Sequence, residues 1–487
     1  MLEPSTNKVT FGKTVLSGFI WSGIERLSVQ LVAFVLGIIL ARLLTPNEYG
    51  TIGLLIVFIS FSQIFIDSGF SKALIQKQNP TALDISSVFV FNLLISSVCY
   101  LVLFFTAPLV ADFYNIPNLT LLFRVLAVSL FFYALMAIPQ TLFSLQMDFK
   151  TIAKLNILAT ALSGILAIYL AYQNYGEWAL VWQTLCKTGL LAILFLIASN
   201  WTPQLKFSKQ AFKSLFGFGS RLLVSSLLGS LVSNLAAVFI GKVINPAALG
   251  IYTRGTQFAD MAYGTINTVY DSVLLPSLAK YKENLTFLVT QTSKIIKASS
   301  VLVFPFFCAL AVGAKPLILI LLTEKWAAAA PIMSIICVSR SITIMSGISI
   351  NLLYTVGRSD LVLKQQYGKL AIRLILLVTA LPFGIFYIAI ADLVATIIHF
   401  FINTHYPGKI MKYGAFKQLK DMRATLVLTI ATSLLVYLLM LFTNNSFLKL
   451  LILGISFPVF MISASYFLKL EGFTFIIANA KSFYEKK

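Results

Sequence analysis

Apolar residues along the chain gather into runs of about 20, each long enough to cross a bilayer as a helix, with short polar breaks between them. The runs predict helices over 15–40, 51–71, 84–107, 120–145, 151–173 and 177–199. They continue over 215–240, 250–278, 293–313, 327–356, 361–383 and 385–406, and close with 424–442 and 448–468. The pattern reads as an all-α integral membrane protein of about 14 transmembrane helices.

The pattern also repeats. Residues 41–50 read ARLLTPNEYG and residues 241–250 read GKVINPAALG, so Arg42 aligns with Lys242, Pro46 with Pro246 and Gly50 with Gly250. Upstream, the helical stripe Arg26, Gln30, Ala33, Gly37 is matched by Ser226, Ser230, Ser233, Ala237. Farther on, TLFSLQMDFKTIAK (141–154) resembles NLLYTVGRSDLVLK (351–364). Pro and Gly punctuate any helix boundary, but two aligned turns with matching stripes point to an internal duplication. Six spans per copy is an even number, so the copies share one orientation about an axis along the membrane normal. The two turns, with Pro46, Gly50, Pro246 and Gly250, are then expected to be matched hinges.

Composition agrees with this. The chain has 487 residues, 59% hydrophobic and only 11% charged, where a soluble domain carries about 25% charged residues. A formal net charge of +20 invites a nucleic-acid reading, but the cations sit in short connectors on one side of the predicted membrane. That is what the positive-inside rule asks of a multi-pass protein, so no nucleic-acid partner is expected and both termini are placed in the cytoplasm. The domain reading is a tail over 1–14, a six-helix bundle over 15–200 and a cytoplasmic linker over 201–214. A second six-helix bundle follows over 215–406, then a basic connector over 407–423, two extra helices over 424–468 and a tail over 469–487. The polar stretch 1–13 leads into a long apolar helix with no small-residue cleavage site, which reads as an uncleaved span rather than a signal peptide.

Charges inside a bilayer are expensive and usually face a partner or a water-filled cavity. The midspan set leans basic: Arg26, Arg124, Lys187, Arg221, Arg254, Arg340, Lys369 and Arg373 stand against Glu25, Asp67, Asp260, Asp271 and Asp392. Guanidinium forks match phosphate oxygens, so an anionic ligand is favoured, with Arg26, Arg221, Arg254, Gln30 and Arg340 as candidate substrate-binding residues. Glu25, Asp67 and Asp271 are candidates to carry a coupling ion; capping a helix or pairing with a lysine explains the aspartates equally simply. The basic segment KIMKYGAFKQLKDMR (409–423) suits either a short interfacial helix or an ordinary connector.

Other chemistry is thin. His399 and His405 are the only histidines, and the four cysteines are widely spaced in apolar runs, so no metal site, disulfide framework or cofactor is expected. FGKT (11–14) lacks the earlier glycine of a phosphate loop. A membrane glycan polymerase or ligase needs a sizeable external loop with catalytic groups; the longest candidate, PLVADFYNIPNL (108–119), offers only Asp112. The chain does not read as an enzyme.

GFIWSGIERLSVQLVAFVLGIILARLLTPNEYGTIGL, DSGFSKALIQ (67–76), APLVADFYNIPNL (107–119) and LGIYTRGTQFADM (249–261) fall in one order. In this they resemble the polysaccharide flippases, Wzx or WzxC-like, of the multidrug/oligosaccharidyl-lipid/polysaccharide (MOP) exporter superfamily, over roughly residues 10–406. The resemblance implies a bacterial inner-membrane secondary transporter in lipopolysaccharide or exopolysaccharide biosynthesis. Such proteins move polyprenyl-pyrophosphate-linked oligosaccharides to the outer leaflet by alternating access through a basic cleft between two MATE-like six-helix bundles. It implies as partners the lipid-linked substrate, membrane lipids and polysaccharide polymerase or export machinery. A multidrug or cation exporter and a cell-wall lipid-precursor flippase of the same superfamily remain alternatives, as does, more remotely, the polymerase or ligase.

Overall fold

The computed structural model describes residues 28–77, 80–199, 201–279 and 284–485, all of it helix and short connection. Glu25 and Arg26 lie outside the described residues. The chain divides into two compact units, one ending at Gly250 and one beginning at Ile251.

The first unit runs from the described part of α1 (Ser28–Leu43) through α2 (Pro46–Asp67), α3 (Phe70–Gln76), α4 (Ala82–Tyr114), α5 (Leu119–Ala127) and α6 (Ser129–Leu145). It continues with α7 (Phe149–Tyr172), α8 (Glu177–Ala198) and α9 (Lys209–Val243), and ends in the first turn of α10 (Pro246–Ala279). Here α8 packs on α6 and α7, α4 on α5 and α6, and α9 on α2. The second unit takes the rest of α10, then α11 (Leu285–Val312), α12 (Ala314–Leu321), α13 (Ala329–Thr355) and α14 (Ser359–Ala380). It closes with α15 (Ile385–Met411), α16 (Ala415–Leu441), α17 (Ser446–Phe467) and α18 (Glu471–Glu485). Its centre is α13, packed against α11 and α15, with α14 lying on α15 and α16 on α11.

Among the described residues eleven spans are long and apolar enough to cross a membrane, or twelve if the bent α9 counts as one. The remaining two of the predicted fourteen are α1, described from Ser28, and α10. The sequence of α10, with Arg254, Gln257, Asp260 and Asn267, is too polar to pass as a lipid-facing span and has reason to face protein or water.

Two connectors differ from expectation. PLVADFYNIPNL is helical through Tyr114, so the connector shrinks to a few residues, with Asn115 in the left-handed conformation that ends the helix. Residues 409–423 form no separate interfacial helix: the end of α15 and the start of α16 share them across a short break.

The duplicated turns are capped helix starts. Thr45 is the N-cap of α2 with Pro46 at N1, and its backbone N–H donates to Glu48 Oε2 at 2.6 Å, completing a capping box. In the second copy Asn245 Oδ1 accepts from the Ala248 N–H at 2.7 Å ahead of the same proline. The small polar residue before each proline is therefore a cap. The two starts cross at their glycines. A Cβ on Gly50 would lie 1.6 Å from the Pro246 carbonyl oxygen, and one on Gly250 1.9 Å from that of Pro46. The contact is reciprocal, as duplicated segments meeting about a local two-fold require.

Candidate functional site

In the first unit two helices break side by side. α2 ends at Asp67, Ser68 and Gly69 take left-handed φ of 44° and 73°, and α3 restarts at Phe70. Next to it α9 bends by 55° between Lys209–Gly217 and Leu222–Leu231. The breaks touch: a Cβ on Gly219 would lie 2.8 Å from the Ser68 carbonyl oxygen. Irregular backbone at membrane depth is tolerated where it is buried in protein or lines a cavity, and broken helices are where transporters place substrate and coupling ions. A cavity of about 290 Å³ does lie there, lined by Ser60, Gln63, Asp67, Tyr133 and Ser226 among others. Among the described residues its charged lining residue is Asp67, whose Oδ1 accepts from the Ser71 hydroxyl.

In the second unit the intramembrane charges gather into a network. Arg340 on α13 donates from Nε to Asp260 Oδ1 on α10 at 2.6 Å, and its Nη1 lies 3.5 Å from Asp392 Oδ2 on α15. Arg373 on α14 donates to the other oxygen of Asp392, and Ser339 Oγ donates to Asp392 at 2.8 Å. The Asp392 side chain is only 7% exposed. A carboxylate so placed persists because two guanidiniums and a hydroxyl replace its water.

The network continues along α15. Asp392, Thr396, His399 and Asn403 recur at helical spacing on one face, and on α14 Gln365, Lys369 and Arg373 do the same. Lys369 Nζ donates to Asn403 Oδ1 at 3.0 Å, Asn403 Nδ2 donates to Ser346 Oγ at 3.2 Å, and His399 Nε2 lies 3.1 Å from the Lys369 carbonyl oxygen. Since a carbonyl only accepts, His399 carries its proton on Nε2 there. These side chains border a second cavity, of about 250 Å³.

The family described as "Polysaccharide biosynthesis protein" matches residues 39–331, which take in the duplicated turns, both helix breaks and the Asp67 cavity. The chain belongs to this family. As a polysaccharide biosynthesis protein it is similar to the teichuronic acid biosynthesis protein TuaB of Bacillus subtilis (strain 168). The two are 24% identical over 436 residues, 89% of this chain and 90% of that one. It is also similar to the lipopolysaccharide biosynthesis protein WzxC of Escherichia coli (strain K12), with 21% identity over 330 residues, 66% of each chain. Among solved structures its fold is that of the lipid II flippase MurJ in an inward closed conformation, at a TM-score of 0.73 and 15% identity. That match covers 93% of this chain and 99% of MurJ.

The expected site residues fare unequally in this family member. Asp67 lines a cavity. Arg340 is held between two carboxylates, so its charge is already matched inside the protein. Arg254 is half-buried and donates to the Gln257 amide oxygen. Gln30 is half-buried on α1. Arg221 and Asp271 are placed by backbone alone, on α9 and α10. Sequence reasoning did not single out Lys369, Asp392, His399 or Asn403 as a group. The signal that finds them is the spacing of four and three residues along α15, facing the Gln365, Lys369, Arg373 row of α14.

Proposed function

We propose that the protein is a secondary transporter that flips polyprenyl-pyrophosphate-linked oligosaccharides from the cytoplasmic to the outer leaflet of a bacterial plasma membrane. Both chain ends then lie in the cytoplasm. The observation that carries this reading is the pair of broken helices enclosing a polar cavity, within the segment that matches the polysaccharide biosynthesis family. A helix that opens its backbone to a polar cavity suits a path for a hydrophilic headgroup, with the lipid tail left in the bilayer. The names of the relatives, with teichuronic acid and lipopolysaccharide in them, support a glycan cargo.

In this proposal Arg26, Arg221 and Arg254 neutralise the pyrophosphate, Gln30 donates a hydrogen bond to it, and Arg340 braces the second unit through Asp260 and Asp392. Asp67, with Glu25 and Asp271 as further carriers, couples the cycle to an ion gradient. Polysaccharide polymerase or export machinery receives the product. The test offers reconstituted protein a lipid-linked oligosaccharide, lipid-linked peptidoglycan precursor and an organic cation side by side. Translocation of the oligosaccharide is expected; movement of the cation alone would replace this reading with a drug exporter, and movement of the precursor alone with a cell-wall flippase.

A further inference from the structure

Inside the second unit the charges do not balance evenly. Arg340 and Arg373 are matched by Asp260 and Asp392, whereas Lys369, one turn from Arg373 on the same helix, has no ion pair among the described residues. Its hydrogen bond to the Asn403 amide oxygen involves a neutral acceptor. Lys369 is the eleventh residue of the 22-residue α14 and is 8% exposed, so this ammonium sits near the middle of a span, where an unmatched charge is most expensive. The place where an anion can reach it is the adjoining cavity.

The rest of that cavity says which anion. Among the described residues its lining is otherwise uncharged apart from His399: amides such as Asn351 and Asn403, hydroxyls such as Thr343 and Ser346, and the rings of Tyr263 and Tyr354. Amides and hydroxyls pair with a hydroxyl-rich ligand, and a tyrosine offers an apolar face with a polar tip. One ammonium matches one negative charge; a phosphate monoester carries about −1.5 to −2 at neutral pH, and a pyrophosphate needs more cations than the described lining holds. At about 250 Å³ it falls just under the range of about 300–1,000 Å³ usual for small-molecule sites, room for one ring rather than a chain.

We propose that this cavity is a subsite for a single carboxylate-bearing sugar of the transported glycan, with Lys369 taking the carboxylate and the amides and hydroxyls taking the ring. The proposal rests on the flippase reading and sharpens it into a preference for acidic glycans. It lies almost entirely beyond the residues that match the family, since Thr343 through Asn403 follow residue 331. A site built to bond a group discriminates against the analogue lacking it.

Two synthetic polyprenyl-pyrophosphate disaccharides test it, alike except that the terminal ring carries a carboxylate in one and a hydroxymethyl in the other. The shared pyrophosphate and lipid cancel, so the ratio of translocation rates reads the sugar carboxylate alone. Wild type should favour the acidic glycan by at least about tenfold, Lys369→Arg should keep part of that ratio, and Lys369→Gln should bring it within about twofold of unity. Equal rates for both glycans in wild type, or an undiminished ratio in Lys369→Gln, would overturn the subsite while leaving the flippase reading intact. A binding arm stands apart from transport: saturation-transfer NMR on the purified protein with free glucuronate and glucose. Saturation of glucuronate by wild type and its loss in Lys369→Gln supports the subsite even if neither lipid is moved; equal saturation of both sugars overturns it.

Discussion

Asp392 shows what a single residue does here. It accepts from two guanidiniums and a serine hydroxyl on two helices, α13 and α14, so its removal leaves the buried Arg340 with Asp260 as its one carboxylate among the described residues. Asp392→Asn should lower the stability of the detergent-purified protein by on the order of 3 kcal/mol, seen as a fall in melting temperature. Most of the loss belongs to Arg340, because Arg373 is 41% exposed and its pair is partly screened. Asp67 is the opposite case, a carboxylate at the edge of a cavity with a serine hydroxyl as its partner. Asp67→Asn should melt close to wild type yet translocate at a rate that no longer responds to an imposed proton or sodium gradient. A large drop in melting temperature with coupling intact would make Asp67 a structural residue instead.

At the scale of elements, the crossing of α2 and α10 at their first turns is a backbone-to-backbone contact with no room for a Cβ. Gly50→Ala or Gly250→Ala sets a methyl group against a backbone carbonyl, which cannot rotate away as a side chain would. Each should cost at least about 1–3 kcal/mol and cut the yield of folded protein. Asn245→Ala removes a cap without a clash and should cost about 1 kcal/mol. The same elements mark what the sequence makes legible. Spans were readable because each must be about 20 apolar residues long, and the duplicated turns because proline and glycine at fixed spacing have few other uses. What Gly50 and Gly250 are for was not readable: the hinge reading came from their recurrence, whereas the requirement for glycine comes from two backbones meeting. The break at Ser68 and Gly69 is signalled by the Asp67-Ser68-Gly69 cluster, but the apolar run over 51–71 outweighs that signal when spans are read by length. The polar face of α14 and α15 was present in the spacing of Lys369, Arg373, Asp392 and His399, but a list of midspan charges does not say which of them share a cavity.

For the whole molecule, the family match and the MurJ-like fold agree with a chain that carries a set of polar and charged groups inside its apolar helices. Soluble glycan enzymes need catalytic groups on exposed loops; here the connections between spans are short and the polar chemistry is internal, as a transporter requires. Proteoliposomes carrying a fluorescent polyprenyl-pyrophosphate oligosaccharide in both leaflets are treated with a membrane-impermeant quencher. Protein-free vesicles should keep the inner-leaflet share of the signal, and vesicles containing the protein should lose it progressively as lipid is brought to the outer face. An inner-leaflet signal that persists with folded protein present, with and without an ion gradient, would contradict the central claim.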